Sequence, residues 1–497
     1  MTWKNISKGN YDVDSQNLRY NIPYNATNIT IADFGNEGTL YYAENLFQWK
    51  YNLVSADLSN AKTDKLKTMS GMFNQCRNLV SVSNFDTSNV IYMNSAFYNC
   101  SNLINIPEFN TSNVIYFGGC FAGCNKITDI SKLNFKNAVQ ISSIFSGCSR
   151  INTFPNFTDE KIEQAGWAFN NCSALRNIPD LNFTNCISAN FMFSNCHSIS
   201  NIGNINLCNA INTANIFYNC TSLKNIGNIN ICNSENATYM FGYSKLEQVT
   251  SEINISNVKD FSRAFYYCNN LTAGPNLDTT NVTNMDGMFY WCWKLETVPN
   301  YNTTNVKDFS AMFSTCHNLR SAPNFDTSNA TNLSAFLSSC TNITEIPNYN
   351  TINVIDFNSA FHDLQKVDTL HSFDTSNGTQ LSGMFSNCSF VTDAPNLNTE
   401  KTVNMISMYH WCTRLKNVPQ YNTINVINMY QMFEACNNLT DSSIQNIINM
   451  ILNSNITNAQ LMNLNVSNIS SPFHNSTITS SRYQNRLTEL TTKGWTY

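Results

Sequence analysis

Eighteen cysteines are the residues of this chain best equipped to do chemistry. Thiols hold metals, attack substrates or pair as disulfides. Their spacing argues against the first two uses. Fourteen fall at intervals of 24 in a column from Cys76 to Cys436, with Ser244 and Leu364 in the two remaining places. The other four keep to columns of the same period. Cys120 directly precedes Phe121, Cys186 takes the slot of Val90, and Cys208 and Cys232 lie one interval apart. No Cys-x-x-Cys or Cys-x-x-His pair has zinc-ligand spacing. The favoured reading is a ladder of buried free thiols serving as small apolar fillers. Like cysteines in stacked coils would lie roughly 5 Å apart, inside the Cα range of a disulfide. Stacked side chains point in parallel, however, which disfavours a bridge.

The other candidate groups do not converge. The histidines are His197, His317, His362, His371, His410 and His474, and none pairs with a carboxylate at helical ligand spacing. His362 and His410 share a column two coils apart, where a solvent-facing helix residue is expected. Asp260, Asp308 and Asp356 share a column in alternate coils. That places them roughly 10 Å apart, too regular and too open for a catalytic carboxylate pair. No glycine-rich phosphate loop is present. The expectation is a protein with no enzymatic activity, no cofactor and no metal.

One cluster rises above this background. The two positions after each grid phenylalanine are usually small or polar, as in Ala122-Gly123 and Ser146-Gly147. In two neighbouring coils they become Tyr266-Tyr267 and Tyr290-Trp291, with Trp293 just beyond. Tyr218 and Tyr243 occupy the coils before. Stacking would bring these rings together, and exposed aromatics suit a sugar face or a protein hot spot. The competing reading is that they pack on one another to widen the core. Tyr266, Tyr267, Tyr290, Trp291 and Trp293 are the candidate ligand-binding residues. His410-Trp411 is a smaller second instance.

The elements that must position these residues follow from the repeat. From Phe73 to Phe433 are fifteen steps of 24, and fourteen of the sixteen grid positions are Phe, with Leu337 and Tyr409 the exceptions. A fixed period without insertions means a solenoid, in which each coil buries its apolar side against its neighbours. Val90, Met93, Ala96, Phe97 and Cys100 are spaced to form one stripe on a short helix. Thr87-Ser88-Asn89 supplies capping residue types before it. Leu103 and Ile106 read as a strand of five or six residues, ended by Pro107. The column of Asn89 holds Asn in thirteen of fifteen places, broken by Lys161 and Lys401. The favoured role there is satisfying backbone groups in a stacked turn.

The predicted fold is therefore an α/β solenoid: a right-handed, leucine-rich-repeat-like stack of 24-residue coils, one short parallel strand and one short helix per coil. About seventeen coils at roughly 4.8 Å each would span about 80 Å. Residues 1–70 read as an N-terminal opening segment and capping coil, in which Phe47 to Leu53 echoes the repeat and short strands are expected near Ile22 to Phe34. Residues 71–440 form the sixteen-coil repeat. Residues 441–497 form a C-terminal cap, with helices at Ser442–Asn453 and Ser481–Lys493 and a strand at Leu461–Val466.

Charged residues make up only 12% of the chain, with a net charge of -5. That argues against electrostatic binding of nucleic acid, which needs a basic stripe. No stretch approaches 18 apolar residues, so membrane insertion is not expected. Met1 to Asn10 has no apolar run of the signal-peptide kind.

Phe85-Asp86-Thr87-Ser88-Asn89-Val90, leading to Met93, Phe97 and Cys100, resembles the repeat of BspA-like leucine-rich repeat surface proteins. Asn281 to Phe289 is closer still, and the resemblance covers residues 47 to 440. It implies a surface-exposed recognition or adhesion solenoid. Because no signal, lipobox or anchor is seen, the expectation shifts to a bacteriophage virion protein: a tail fibre, receptor-binding or decoration protein. The alternatives are a structural spacer or coat protein binding only its own assembly, and a bacterial surface adhesin. Expected partners are a host-surface protein or glycan, or other virion proteins, with a homo-oligomer also open. The expected location is the virion or the cell surface.

Overall fold

Each grid segment is a run of tight turns, which corrects the expected helix. Within one coil the Ala96 amide donates to Met93 at 3.1 Å, Tyr98 to Ser95 at 3.1 Å and Cys100 to Phe97 at 3.0 Å. The amides between them leave the coil. Met93 donates to Tyr116, Ser95 to Gly118 and Phe97 to Cys120, each at 2.8 Å, and Asn99 donates to Ala122 at 2.7 Å. A helix would send each amide four residues back along its own coil. Ser95 and Asn99 prevent that, with φ of 54° and 57°. Positive φ at the third residue of a turn defines the type II arrangement and is the wrong sign for a right-handed helix. The apolar spacing is compatible with either form. The next coil decides, because it supplies carbonyls for half of the amides.

This protein is described from a computed structural model, which covers residues 2–4, 22, 24–30, 39–155, 157 and 161–456. The chain divides into two compact units. The first comprises Met1–Leu246 and Ser251–Val258, the second Glu247–Thr250 and Lys259–Tyr497.

In the first unit, coils register through parallel pairing. β1 (Thr2–Lys4), β2 (Asn28–Thr30), β3 (Ser55–Asp57) and β4 (Ser81–Val82) form one sheet in that order. β5 (Asn177–Ile178), β7 (Asn201–Ile202) and β9 (Asn225–Ile226) form a second. β6 (Leu181–Asn182), β8 (Ile205–Asn206), β10 (Ile229–Asn230) and β11 (Ile253–Asn254) form a third. These strands are shorter than the five or six residues expected. Ile178 pairs with Ile202 and Ile205 with Ile229, each one repeat apart. A further ladder of single parallel bridges runs from Tyr42 through Thr68, Tyr92 and Tyr116 to Asn236. In the second unit an equivalent ladder runs from Asp260 to Asn428.

The core is the grid itself. Phe193 and Phe217 stack at 5.7 Å with an interplanar angle of 4°, and both are fully buried. Leu337 and Tyr409 fill their places equally buried. The Tyr409 hydroxyl is satisfied by the Tyr421 hydroxyl at 2.6 Å. The asparagine column does what its residue type allows. Asn89 donates to the Asp64 carbonyl at 2.6 Å, Asn113 to Ser88 at 2.8 Å and Asn329 to Thr304 at 2.7 Å. Lys161 and Lys401 reach instead to the column asparagines Asn137 and Asn377. The column is a turn-to-turn brace.

Among the described residues there is one helix, α1 (Asp441–Asn453). Thr440 caps it by accepting from the Ser443 amide. Ile444, Ile447, Ile448 and Ile451 form its buried face. The Asn446 side chain donates to the Val418 carbonyl at 2.9 Å, which fastens the helix to the preceding coil. The expected Leu461–Val466 strand and Ser481–Lys493 helix lie outside the described residues.

Candidate functional site

The five candidate aromatics converge in the second unit. Tyr267 stacks on Trp291 at 5.5 Å and 21°, and meets Trp293 at 5.9 Å. Trp291 and Trp293 lie 5.8 Å apart. Tyr266 meets Tyr290 edge-on at 5.6 Å, and each touches its chain neighbour in the Tyr267–Trp291 pair. Tyr266, Tyr267, Tyr290 and Trp291 are half-buried and Trp293 is exposed. The rings thus pack on one another, yet the cluster keeps an open face and stands outside the core.

Two of these rings occupy an unfavourable backbone position. Tyr267 has φ 57° and Trp291 φ 65°. Other coils use Asn99, Gly123, Gly147, Asn171 and Asn195 at this turn position. Gly and Asn are the residues that tolerate it, whereas a bulky side chain there carries strain. Trp411, 54% exposed and 6.0 Å from His410, repeats the placement with φ 60°. Sequence reasoning found the rings but missed their backbone. The Gly/Asn bias of the column was the available signal.

The cysteines are inert. Sixteen are free and buried. Burial pushes the Cys76, Cys148 and Cys220 thiols up to about 12, far from thiolate reactivity at neutral pH. Cys208 and Cys232 depart from expectation by forming a disulfide, with Cα atoms 4.8 Å apart. They sit half-buried on a turn. There the side chains have room to face each other, unlike the core thiols, which donate to backbone carbonyls of the preceding coil.

His362 is half-buried on a turn, not on a solvent-facing helix, with Ser338 Oγ at 3.3 Å. Burial lowers its basicity. Burial also lowers that of His410, which has Glu434 at 3.5 Å as an opposing influence. Asp356 is pushed up by burial, with the charge of Asp308 adding to it. Among the described residues no group of three or more His, Cys, Asp or Glu could hold a metal. No helix among them is long and apolar enough to cross a membrane.

Fold and cluster together define a parallel-β solenoid repeat protein carrying an aromatic ledge. The chain belongs to the DUF285 family, described as a Mycoplasma protein of unknown function, whose profile matches residues 42–157, 155–252, 242–347, 334–447 and 415–485. No curated protein matches it significantly. Among solved structures it is similar to a leucine-rich repeat protein from Bacteroides ovatus at 16% identity, covering 78% of this chain and 81% of that one, with a TM-score of 0.32. A leucine-rich cell surface protein from Faecalibacterium prausnitzii also matches at 16% identity and TM-score 0.32, covering 80% and 88%. A leucine-rich repeat protein from Leptospira interrogans matches at 11% identity and TM-score 0.23, covering 92% and 99%.

Proposed function

We propose that this chain is a non-catalytic recognition solenoid, exposed at a cell surface, whose ledge of Tyr266, Tyr267, Tyr290, Trp291 and Trp293 engages a partner protein. The observation that carries this reading is the strained backbone at Tyr267 and Trp291. Aromatics stand where Asn or Gly would fold more easily, and their rings keep an open face. Strain of this kind is retained at functional positions. Large rings on a rigid frame give contact area at small entropic cost, which is how hot spots concentrate binding energy. A virion role draws no support from the family, and the reading does not include it.

The test is binding of the labelled full-length chain to intact host cells, before and after protease treatment of those cells. Wild type should show a protease-sensitive component of binding, and the Tyr267→Ala, Tyr290→Ala, Trp291→Ala triple variant should lose that component. Wild-type binding by the triple variant would remove the ledge as the site. Binding that survives protease would replace the protein partner with a glycan.

A further inference from the structure

A second surface, in the first unit, has the composition of a sugar site. Gly118-Gly119 is the one Gly-Gly pair in the chain. It opens a recess of about 620 Å³ whose walls include Asn94, Tyr98, Tyr116 and Gln140. The recess depends on Gly118. A methyl group at Gly118 would come within 2.6 Å of the Gln140 amide and 3.0 Å of Asn94 Oδ1.

The walls offer flat rings and uncharged hydrogen-bonding groups. Tyr116 stacks on Tyr92 at 5.0 Å with an interplanar angle of 3°, and both rings are exposed. Tyr98 is also exposed. Asn94 Oδ1 accepts from the Gly118 amide at 2.9 Å, which orients the carboxamide and leaves its nitrogen as a donor. Gln140 Oε1 is shielded from solvent without a hydrogen-bond partner. A buried acceptor left unpaired is costly, so a turn of the Gln140 carboxamide toward the recess, where a ligand hydroxyl can meet it, is favoured.

We propose that this recess binds a neutral saccharide, its C–H face on Tyr116 and its hydroxyls on the carboxamides of Asn94 and Gln140. No charged side chain lines the recess. That disfavours anionic sugars and the phosphates of a nucleic acid, which need cationic partners.

The experiment is a glycan array probed with the full chain, followed by calorimetric titration of the neutral oligosaccharide that binds best. Tyr116→Ala removes an exposed ring and should weaken binding on the order of tenfold. Gly118→Val fills the recess and should abolish binding. Thermal melts of both variants establish that the fold is kept. The ledge triple variant should bind the sugar as wild type does, so this site and the ledge fail independently. The proposal is overturned if wild type binds no neutral saccharide, or binds only anionic glycans. It is equally overturned if Tyr116→Ala, the variant least able to disturb folding, retains full affinity, or if the ledge variant loses the sugar.

Discussion

The thiol of Cys196 donates to the carbonyl oxygen of Phe169 at 3.0 Å, one coil away. The same bond links Cys100 to Phe73, Cys124 to Phe97, Cys292 to Phe265 and Cys412 to Phe385. The cysteine column is thus more than a filler. These thiols tie their coils to the ring-bearing turn of the previous one, while their small volume leaves room for the stacked phenylalanines.

Thiol reactivity follows from that placement. At pH 8 an alkylating reagent should label none of the sixteen free cysteines in the folded chain. Unfolding without reductant should expose all sixteen, and reduction should add Cys208 and Cys232. Intact-mass spectrometry reads the count. Labelling of a core thiol in the folded chain would show that these columns open.

The Cys208–Cys232 disulfide closes a segment of 24 residues between neighbouring coils. Bridges closing loops of this size typically contribute about 2–4 kcal/mol. Cys208→Ser should lower unfolding stability within that range and speed amide exchange around β8 and β10. Unchanged exchange in both strands would mean that the bridge adds nothing to coil registration.

Trp291→Asn separates strain from packing. The left-handed position costs a bulky residue roughly 1–2 kcal/mol. The ring contacts to Tyr267 and Trp293 return roughly 0.5–1.5 kcal/mol each. Stability should therefore change by less than about 1 kcal/mol in a chemical melt, while partner binding falls at least tenfold. A large loss of stability would identify Trp291 as a core residue.

Acid sensitivity should come from the turns. Asp86, Asp326 and Asp374 accept from the amides of Ser88, Ser328 and Ser376, and Asp278 from that of Thr280. The side-chain and backbone bonds from Ser88, Thr280, Ser328 and Ser376 hold all four carboxyls below their ordinary value of 3.8. A depressed carboxyl contributes stability that is fully present above the unfolded value and lost as pH falls through the folded one. The melting temperature should therefore decline as pH drops below about 4. Changing all four to Asn keeps the acceptor and should flatten that decline. Other coils already use Asn110, Asn134 and Asn350 at this position. An unaltered acid limb would place the titrating groups elsewhere.

Much of this protein is legible in its residues. The period of 24, the Phe and Cys columns and the brace role of the asparagines all follow from residue type and spacing, because a stacked coil must present the same side chain to the same neighbour every time. The aromatic ledge is legible for the same reason: rings one period apart must meet. The helical expectation at Met93 to Cys100 fails because apolar spacing reports which side chains face inward and says nothing of the sign of φ. Gly or Asn two positions after the grid residue, as at Asn99, Gly123, Gly147 and Asn171, carries that missing information.

Periodicity and apolar burial are enough to set the solenoid, its register and its buried columns. The backbone path is set only once the coils have stacked. Whether the Phe97 amide bonds within its own coil or to Cys120 depends on a carbonyl that exists at that point only after the next coil has stacked. The same holds for the Cys208–Cys232 bridge, where the room for two thiols to turn toward each other is a property of the assembled turns. It also holds for the recess at Gly118-Gly119, whose walls come from three different coils.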